Sequence, residues 1–311
     1  MRHVLSLQDL DHQTVRSLVG RAVDMAAPDR RGTPLAGCVI GVYFSKASTR
    51  TRSAFSAAAL RLGADVMPYG ASDLQVTTGE TWADTARVMS GYLDALVMRT
   101  NGPLAQMREI AEASRMPVIN ALSEHEHPTQ AIADLATLQE HFGDLKGRSI
   151  LYVGEGNSSA AALAMAAAAV PGLRLTLVTP RGYGLRPEVT DAVKQLSQGS
   201  DLIQEHHDIG DLPRGVDAVY ATRWQTMGVQ HGSNDWLAAF DGFKVTREMM
   251  RSVGGADTVF LHDLPAMRGQ DVDDEVLDSP DSLAWRQAFH KMTSAMAVLE
   301  WAVVGRPVDP S

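Results

Sequence analysis

The chain has 311 residues, of which 45% are hydrophobic and 21% are charged, and its formal net charge is −9. This length suits about two domains of ordinary size, and the composition excludes disordered and fibrous proteins. The acidic excess argues against a nucleic-acid partner or an anionic membrane surface, since both would need a basic face.

Short β-branched runs alternate with longer amphipathic stretches along the chain. The predicted strands are Val39–Phe44, Ala95–Met98, Pro117–Ala121, Ser149–Val153, Leu173–Val178, Asp217–Ala221 and Thr258–Leu261. The predicted helices are Ser53–Leu62, Thr81–Tyr92, Thr129–Phe142, Ala160–Ala169, Pro187–Gln198 and Leu283–Val304. Most of these strands are largely apolar, which is typical of parallel strands covered on both faces. The alternation therefore predicts an α/β protein with parallel sheets.

A domain boundary is predicted near residue 140, where a helical pattern ends in a Gly-containing turn before a new strand begins. We expect a first domain of residues 1–140 and a second of residues 141–284. A C-terminal helix within residues 285–311 is expected to pack back on the first domain.

Targeting and redox signals are weak. The N-terminus lacks a signal-peptide core, and the longest apolar stretch, Ala160 to Val170, is too short to span a membrane. A single cysteine, Cys38, excludes an intramolecular disulfide and a cysteine zinc site. We therefore expect a cytoplasmic protein without membrane contact.

Polar residues at strand ends are the most informative, because ligands of parallel sheets bind outside the carboxyl ends of strands. After the first strand, Ser48, Thr49, Arg50 and Thr51 gather where a helix begins. Backbone N–H groups, hydroxyls and a forked guanidinium together suit a phosphate group. The alternative is an ordinary helix cap beside solvated arginines.

Two further strand ends carry candidates. Arg99 follows an apolar strand and is either a ligand-binding residue or a solvated edge residue. His127 and Gln130 flank Pro128 at a helix start and, three residues apart, can point the same way. His125 and His127 lack a third partner, so no metal site is predicted.

A glycine-containing turn, Gly154-Glu-Gly156, follows a strand and invites a dinucleotide-binding interpretation. Ser159 stands where the third glycine of that fingerprint belongs, and the next strand does not end in a ribose-binding acid. The sequence therefore argues against a nicotinamide-dependent oxidoreductase.

Taken together, these segments resemble the aspartate and ornithine carbamoyltransferases. The resemblance rests on the Arg99 strand end and on Ser48–Arg52, Gly79–Arg87, His127–Gln130, Tyr152–Asn157 and Phe260–Gly269. It covers nearly the whole chain and implies two doubly wound α/β domains, usually in a homotrimer with active sites at subunit interfaces. It further implies transfer of the carbamoyl group of carbamoyl phosphate to an amine, without a cofactor or metal.

The resemblance also implies a donor site in the first domain. The implied carbamoyl phosphate ligands are Ser48, Thr49, Arg50, Thr51, Gln75, Arg99, His127, Gln130 and Lys291. Arg50, Arg99, His127 and Gln130 are the implied catalytic residues, and Gln75 is the candidate for contact with a neighbouring subunit. Lys291 lies where ornithine enzymes carry an arginine, and its alternative is a solvated helix charge.

The implied acceptor site, in the second domain, departs from the family pattern. Its candidate residues are Asn157, Ser158, Arg223, Gln225, Thr226, Met227, Asp263 and Leu264. Ornithine enzymes carry an aspartate where this chain has Thr222, and a cysteine where it has Asp263. We therefore expect an atypical acceptor with an amine and a carboxylate, such as a short diamino acid.

Three alternatives stay open at this point. One is a standard ornithine carbamoyltransferase. Another is a non-catalytic paralogue that acts as a binding or assembly partner, because fold alone does not establish function. For Asp263 itself, the alternative to acceptor binding is a local turn cap.

Overall fold

A computed structural model describes residues 1–224 and 235–305 of the chain. The α-helices are α1 (His12–Asp24), α2 (Arg50–Arg61), α3 (Trp82–Met89), α4 (Leu104–Ala113), α5 (Pro128–Phe142), α6 (Ser158–Ala168), α7 (Pro187–Leu196), α8 (Arg247–Val253), α9 (Asp274–Leu277) and α10 (Ala284–Val303). The strands are β1 (Val39–Phe44), β2 (Asp65–Gly70), β3 (Ala95–Arg99), β4 (Val118–Leu122), β5 (Ser149–Val153), β6 (Arg174–Val178), β7 (Ile203–His206), β8 (Val216–Ala221) and β9 (Gly254–His262).

The chain divides into two compact units. The first comprises Met1–Glu140 and Phe289–Ser311, and the second comprises His141–Ala288. Helices α5 and α10 each run across a boundary between the units, so the C-terminal part of α10 belongs to the first unit.

The first unit contains a parallel four-stranded sheet in the order β2-β1-β3-β4. The N-terminal segment extends it, because Val4 forms a parallel bridge with Ile119 beside β4. In the register of the sheet, Phe44 at the end of β1 lies beside both Gly70 and Arg99. The carboxyl ends of these strands therefore share one edge.

The second unit contains a parallel five-stranded sheet in the order β7-β6-β5-β8-β9. Val153 pairs with Ala221, which pairs in turn with His262, so β5, β8 and β9 also end together. The buried aromatic side chains of Phe240 and Phe260 belong to the core beneath this sheet. The residues that follow these three strands consequently emerge at one edge.

The predicted α/β class with parallel sheets is confirmed, while several elements are missing from the prediction. Strands β2 and β7 escaped it because both are largely exposed; β2 also contains Pro68, which is unusual inside a strand, and β7 carries few apolar residues. Helices α1 and α4 were also missed, although both bury an apolar face. Among the described residues, no helix combines the length and apolarity needed to cross a membrane.

Helix α10 is tied to α1 by a bidentate ion pair within the first unit. Arg21 Nε lies 2.7 Å from Glu300 Oε2, and its Nη2 donates to Glu300 Oε1 at 3.0 Å. The two side chains are only 13% and 6% exposed. Removal of one partner would therefore leave a poorly solvated charge behind.

We expect Glu300→Ala to lower the free energy of unfolding by about 3 kcal/mol, the usual size when a buried pair loses one partner. The matched control is Arg87→Ala, which removes an exposed pair with Asp84 and should cost less than about 1 kcal/mol. Urea unfolding followed by circular dichroism measures both changes. Equal losses in the two variants would contradict a special role for the α1–α10 pair.

Candidate active site

Arg99, at the end of β3, joins two distant parts of the first unit. Its Nη1 donates to Ser48 Oγ and to Thr51 Oγ1, each at 3.3 Å. The arginine is only 4% exposed, so the alternative of a solvated edge residue is wrong. The guanidinium and the hydroxyls at the start of α2 therefore form one cluster.

The first backbone N–H groups of α2 are not capped by the side chain of the N-cap residue. Thr49 occupies the N-cap position, but its side chain makes no capping hydrogen bond. Thr49 is exposed, whereas Arg50, the first helical residue, is half-buried. Backbone N–H groups and the positive helix end thus lie next to the Arg99 cluster, an arrangement that suits an anion.

His127 lies at the start of α5 and is buried. Neither ring nitrogen has a hydrogen-bond partner among the described residues. Burial, reinforced by the charges of Lys291 and Arg99, holds the pKa of His127 well below its usual range. The imidazole therefore stays neutral and keeps one N–H to donate.

Gln130 is oriented from both sides. Its Nε2 donates to Asp134 Oδ1 at 2.7 Å, and its Oε1 accepts from Lys291 Nζ. Lys291 is only 8% exposed, so the alternative of a solvated helix charge is wrong. The sequence prediction missed Asp134, although its spacing of four residues from Gln130 places both on one face of α5.

Gln75 lies on another segment of the first unit, between β2 and α3. It begins a short 3₁₀ helix, is exposed, and its Oε1 accepts from the hydroxyl of Thr78 at 2.8 Å. Within the described part of the chain it makes no hydrogen bond to the other donor candidates. Its expected contact with a neighbouring subunit stays a prediction.

In the second unit, three neighbouring strand ends are linked by hydrogen bonds. Asn157 Nδ2 donates to Thr222 Oγ1 at 3.1 Å, and the Thr222 hydroxyl donates to Asp263 at 3.2 Å and 3.3 Å to its two carboxylate oxygens. Asn157 Oδ1 meanwhile caps α6 by accepting from Ser159 and Ala160. The direction of these bonds fixes the orientation of the Asp263 carboxylate.

Other acceptor candidates are the sequence neighbours of Asn157, Thr222 and Asp263. No backbone N–H of the described residues donates to the Asp263 carboxylate, so it is not a local turn cap. Arg223 is half-buried, and its Nε has no hydrogen-bond partner in the described ranges. Ser158, the first residue of α6, is half-buried, and Leu264 adopts a positive φ of 54°. The anionic group of Asp263 and the cationic group of Arg223 thus follow the ends of two adjacent strands, β9 and β8.

Gln225, Thr226 and Met227 lie outside the described residues, and their roles stay predictions. In the described part of the chain, no group of three or more His, Cys, Asp or Glu residues is arranged to hold a metal ion.

The glycine at 156 has a packing explanation. A Cβ atom there would lie 2.4 Å from the backbone carbonyl carbon of Gly184 and 2.5 Å from the nitrogen of Leu185. Residue 156 must therefore be glycine because another segment of the chain passes directly over it. This close approach accounts for the glycine without a dinucleotide.

Comparisons with known proteins cover both units. Residues 2–140 match the family described as "Aspartate/ornithine carbamoyltransferase, carbamoyl-P binding domain", and residues 146–302 match its "Asp/Orn binding domain". The chain is 37% identical to an ornithine carbamoyltransferase of Caldicellulosiruptor saccharolyticus, over 98% of this chain and all of that protein. It is 35% identical to one of Nitrosococcus oceani, over 98% and 99% of the two chains. The solved ornithine carbamoyltransferase from Pyrococcus furiosus is similar with a TM-score of 0.91 at 33% identity, over 98% of each chain.

Glu126, immediately before His127, is a buried acid that the sequence prediction missed. One of its carboxylate oxygens accepts the backbone N–H of Leu7 at 2.7 Å, which ties the start of the chain to the start of α5. Burial raises the pKa of Glu126 to about 7. No local sequence signal marks it, because its burial depends on the N-terminal segment.

The raised pKa makes stability depend on pH. The folded protein holds the Glu126 proton more tightly than the unfolded chain, so this contribution is complete below about pH 4.5 and is lost as the pH rises through about 7. We expect Glu126→Gln, which keeps an acceptor for Leu7, to remove a pH-dependent contribution of about 3 kcal/mol.

Urea unfolding of wild type and variant between pH 4.5 and 8 measures that contribution as a difference. The variant should gain stability relative to wild type as the pH rises. The control Glu109→Gln replaces an exposed acid on α4 and should show a flat difference. A flat difference for Glu126→Gln as well would contradict the raised pKa.

Proposed function

Because the chain belongs to the aspartate/ornithine carbamoyltransferase family, we propose that it transfers the carbamoyl group of carbamoyl phosphate to the side-chain amine of ornithine. The chain is a carbamoyltransferase enzyme, and the acceptor is the proposed part. Its relatives named above are ornithine carbamoyltransferases, which favours the ornithine alternative over the atypical acceptor expected from sequence. The same relatives weigh against a non-catalytic paralogue.

The cluster of Arg99, Ser48 and Thr51, with neutral His127 nearby, is the observation that carries the proposal. Carbamoyl phosphate presents a phosphate dianion joined to a carbonyl group. A guanidinium and hydroxyls match the dianion, whereas a neutral N–H donor matches the carbonyl oxygen. Both kinds of group occur in the first unit, where Arg99, Thr51 and His127 are buried and Ser48 is half-buried.

The chemistry needs no covalent enzyme intermediate. The neutral amine attacks the carbonyl carbon, the new C–N bond forms, and the carbonyl π electrons move to oxygen. The tetrahedral intermediate then breaks its C–O bond to phosphate, and the proton lost by the attacking nitrogen leaves on the phosphate. The products are the carbamoylated amine and hydrogen phosphate, so the protein must chiefly position the reactants and stabilise the oxyanion.

In this scheme each donor residue has a physical role. Thr49 and Arg50 add donors for phosphate at the start of α2. Arg99 and His127 donate to the developing oxyanion. Gln130, oriented by Asp134 and Lys291, presents its amide to the carbamoyl NH₂.

The two departures from the family pattern compensate each other, which supports ornithine as the acceptor. A carboxylate is missing at position 222, but a carboxylate is present at 263, where its oxygens lie 3.2 Å and 3.3 Å from the Thr222 hydroxyl. The negative charge is therefore still present, but it follows β9 and not β8. Asp263 can bind an ammonium group and Arg223 a carboxylate, as an amino acid with a second amine requires.

A direct assay tests this proposal. With carbamoyl phosphate present, we expect ornithine to be carbamoylated faster than aspartate or shorter diamino acids. His127→Asn should lower kcat by about 10²–10³, because a preorganised donor to the oxyanion is lost. His125→Asn, two residues away and half-buried, is the matched control and should retain activity.

Product formation measured by chromatography decides between the outcomes. A clear preference for another amine would reject ornithine as the acceptor while leaving the enzyme class intact. Full activity of His127→Asn would reject the proposed donor site.

We further propose a homotrimer in which Gln75 completes the donor site of a neighbouring subunit. Gln75 is exposed in the single chain and, within the described residues, makes no hydrogen bond to the Arg99 cluster. The first unit also exposes apolar side chains that a second copy could cover, among them Leu60, Met67 and Tyr92. An active site shared between subunits would explain both observations.

Mixing two inactive variants tests the shared site. Gln75→Ala and Arg99→Ala should each be inactive as pure trimers, whereas mixed trimers contain sites with both residues intact. Random exchange of equal amounts should restore about one quarter of wild-type activity, because one site in four combines the two intact sides. Native mass spectrometry confirms the exchange, and no recovery in exchanged trimers would contradict the proposal.

A further inference from the structure

We propose that His262 and Asp271 form a positioning pair that holds the turn carrying Asp263 and Leu264 in the orientation that binds the acceptor. This inference rests on the proposed function, which assigns acceptor binding to this turn. His262 is the last residue of β9, and the turn follows it directly. Its imidazole side chain is fully buried, so it acts through the turn and does not touch the acceptor itself.

One ring nitrogen of His262 binds the turn. Nδ1 lies 2.8 Å from the backbone nitrogen of Leu264, and the only proton available for that bond is the amide proton. Nδ1 therefore accepts with its lone pair, and the proton of the neutral ring is on Nε2. This assignment follows from the hydrogen bond and not from a local sequence motif.

The other ring nitrogen faces a buried carboxylate. Nε2 lies 3.7 Å from Asp271 Oδ2, and both side chains are fully buried. This distance is too long for a direct hydrogen bond, and Asp263 Oδ1 lies 3.6 Å from Nδ1, so a carboxylate faces each ring nitrogen. The bond from Leu264 N–H decides between the two tautomers, and the Asp271 charge supports the one with the proton on Nε2. Asp271 also accepts the backbone N–H of Met267 with both oxygens at 3.0 Å. The imidazole and the carboxylate thus hold the turn at residues 264 and 267.

The turn needs this support because its backbone is strained. Leu264 has a φ of 54°, a left-handed conformation that is unfavourable for a bulky side chain. Relaxation to a negative φ would reorient the backbone on either side of Leu264. The Asp263 carboxylate, whose orientation depends on the Thr222 hydroxyl, would then leave its place.

The base of the turn is fixed separately. The backbone N–H of His262 donates to Gln287 Oε1 at 2.8 Å, so the end of β9 is held independently of the ring. A change in the ring should therefore affect the turn more than the strand. This separation allows the positioning role to be distinguished from a general structural role.

Two isosteric substitutions at His262 test the pair. In His262→Asn the side-chain oxygen can replace Nδ1 as the acceptor for Leu264 N–H, whereas in His262→Gln the amide reaches the position of Nε2 and leaves that N–H without an acceptor. We expect His262→Asn to keep the KM for ornithine within about threefold of wild type. His262→Gln should raise it about tenfold, the usual effect of losing one hydrogen bond. The KM for carbamoyl phosphate should not change in either variant.

Asp271→Asn tests the other half of the pair. It keeps an acceptor for Met267 N–H but removes the charge that favours the Nε2–H tautomer. We expect an intermediate rise in the KM for ornithine. In ¹⁵N NMR spectra of the wild type, the His262 ring should show a protonated Nε2 and an unprotonated Nδ1, and Asp271→Asn should shift this towards a mixture. His206→Gln, an exposed histidine at the end of β7, is the control and should leave both KM values unchanged.

The outcomes separate this inference from the proposed function. Equal effects of the Asn and Gln variants at His262, or a parallel rise in the KM for carbamoyl phosphate, would overturn the positioning role. If the wild type does not carbamoylate ornithine, ornithine is rejected as the acceptor. The ¹⁵N NMR spectrum of the His262 ring would still test the hydrogen bond from Leu264 N–H. Circular dichroism and thermal stabilisation by carbamoyl phosphate show whether each variant is folded, and a wild-type ring protonated on Nδ1 would reject the pair outright.

Discussion

Parallel pairing of the strands is the constraint on which the rest of this protein depends. In both sheets the carboxyl ends of neighbouring strands reach one edge, so residues far apart in sequence become neighbours there. Arg99 in this way meets hydroxyls that lie about fifty positions earlier, and Asp263 meets Thr222 from the adjacent strand. Each half of the proposed site is a direct result of strand order and register.

In the proposed donor site, burial keeps the His127 side chain uncharged. The low pKa of His127 keeps the imidazole neutral, so the positive charges of Arg99 and Lys291 are available to an anionic ligand while the ring offers an N–H group. Lys291 donates to the oxygen of the Gln130 amide, and Asp134 accepts from its nitrogen, so the orientation of the amide is fixed. These assignments depend on a dry environment, since water would screen the charges and solvate the ring.

On the acceptor side, a pair of departures from the family pattern is easier to explain than either one alone. The threonine at 222 cannot supply the negative charge found in ornithine enzymes, but it donates a hydrogen bond to the carboxylate that has appeared at 263. Behind that carboxylate, the buried His262 and Asp271 connect the following turn to the protein interior. In the proposed acceptor site, the carboxylate for an ammonium group is therefore supplied by the residue after β9 and not by the residue after β8.

Local sequence patterns predict the α/β class and the strand ends near which Ser48, Arg99, His127 and Asp263 lie, because apolar strands and the polar residues after them are short-range features. They cannot decide whether Arg99 and Lys291 are buried or solvated, nor can they find Asp271 or Glu126, whose partners are set by the fold. Strands β2 and β7 were missed for a related reason, since both are edge strands whose exposure follows from the strand order. These points require the folded protein, because burial and hydrogen-bond partners depend on segments that are distant in sequence and adjacent in space.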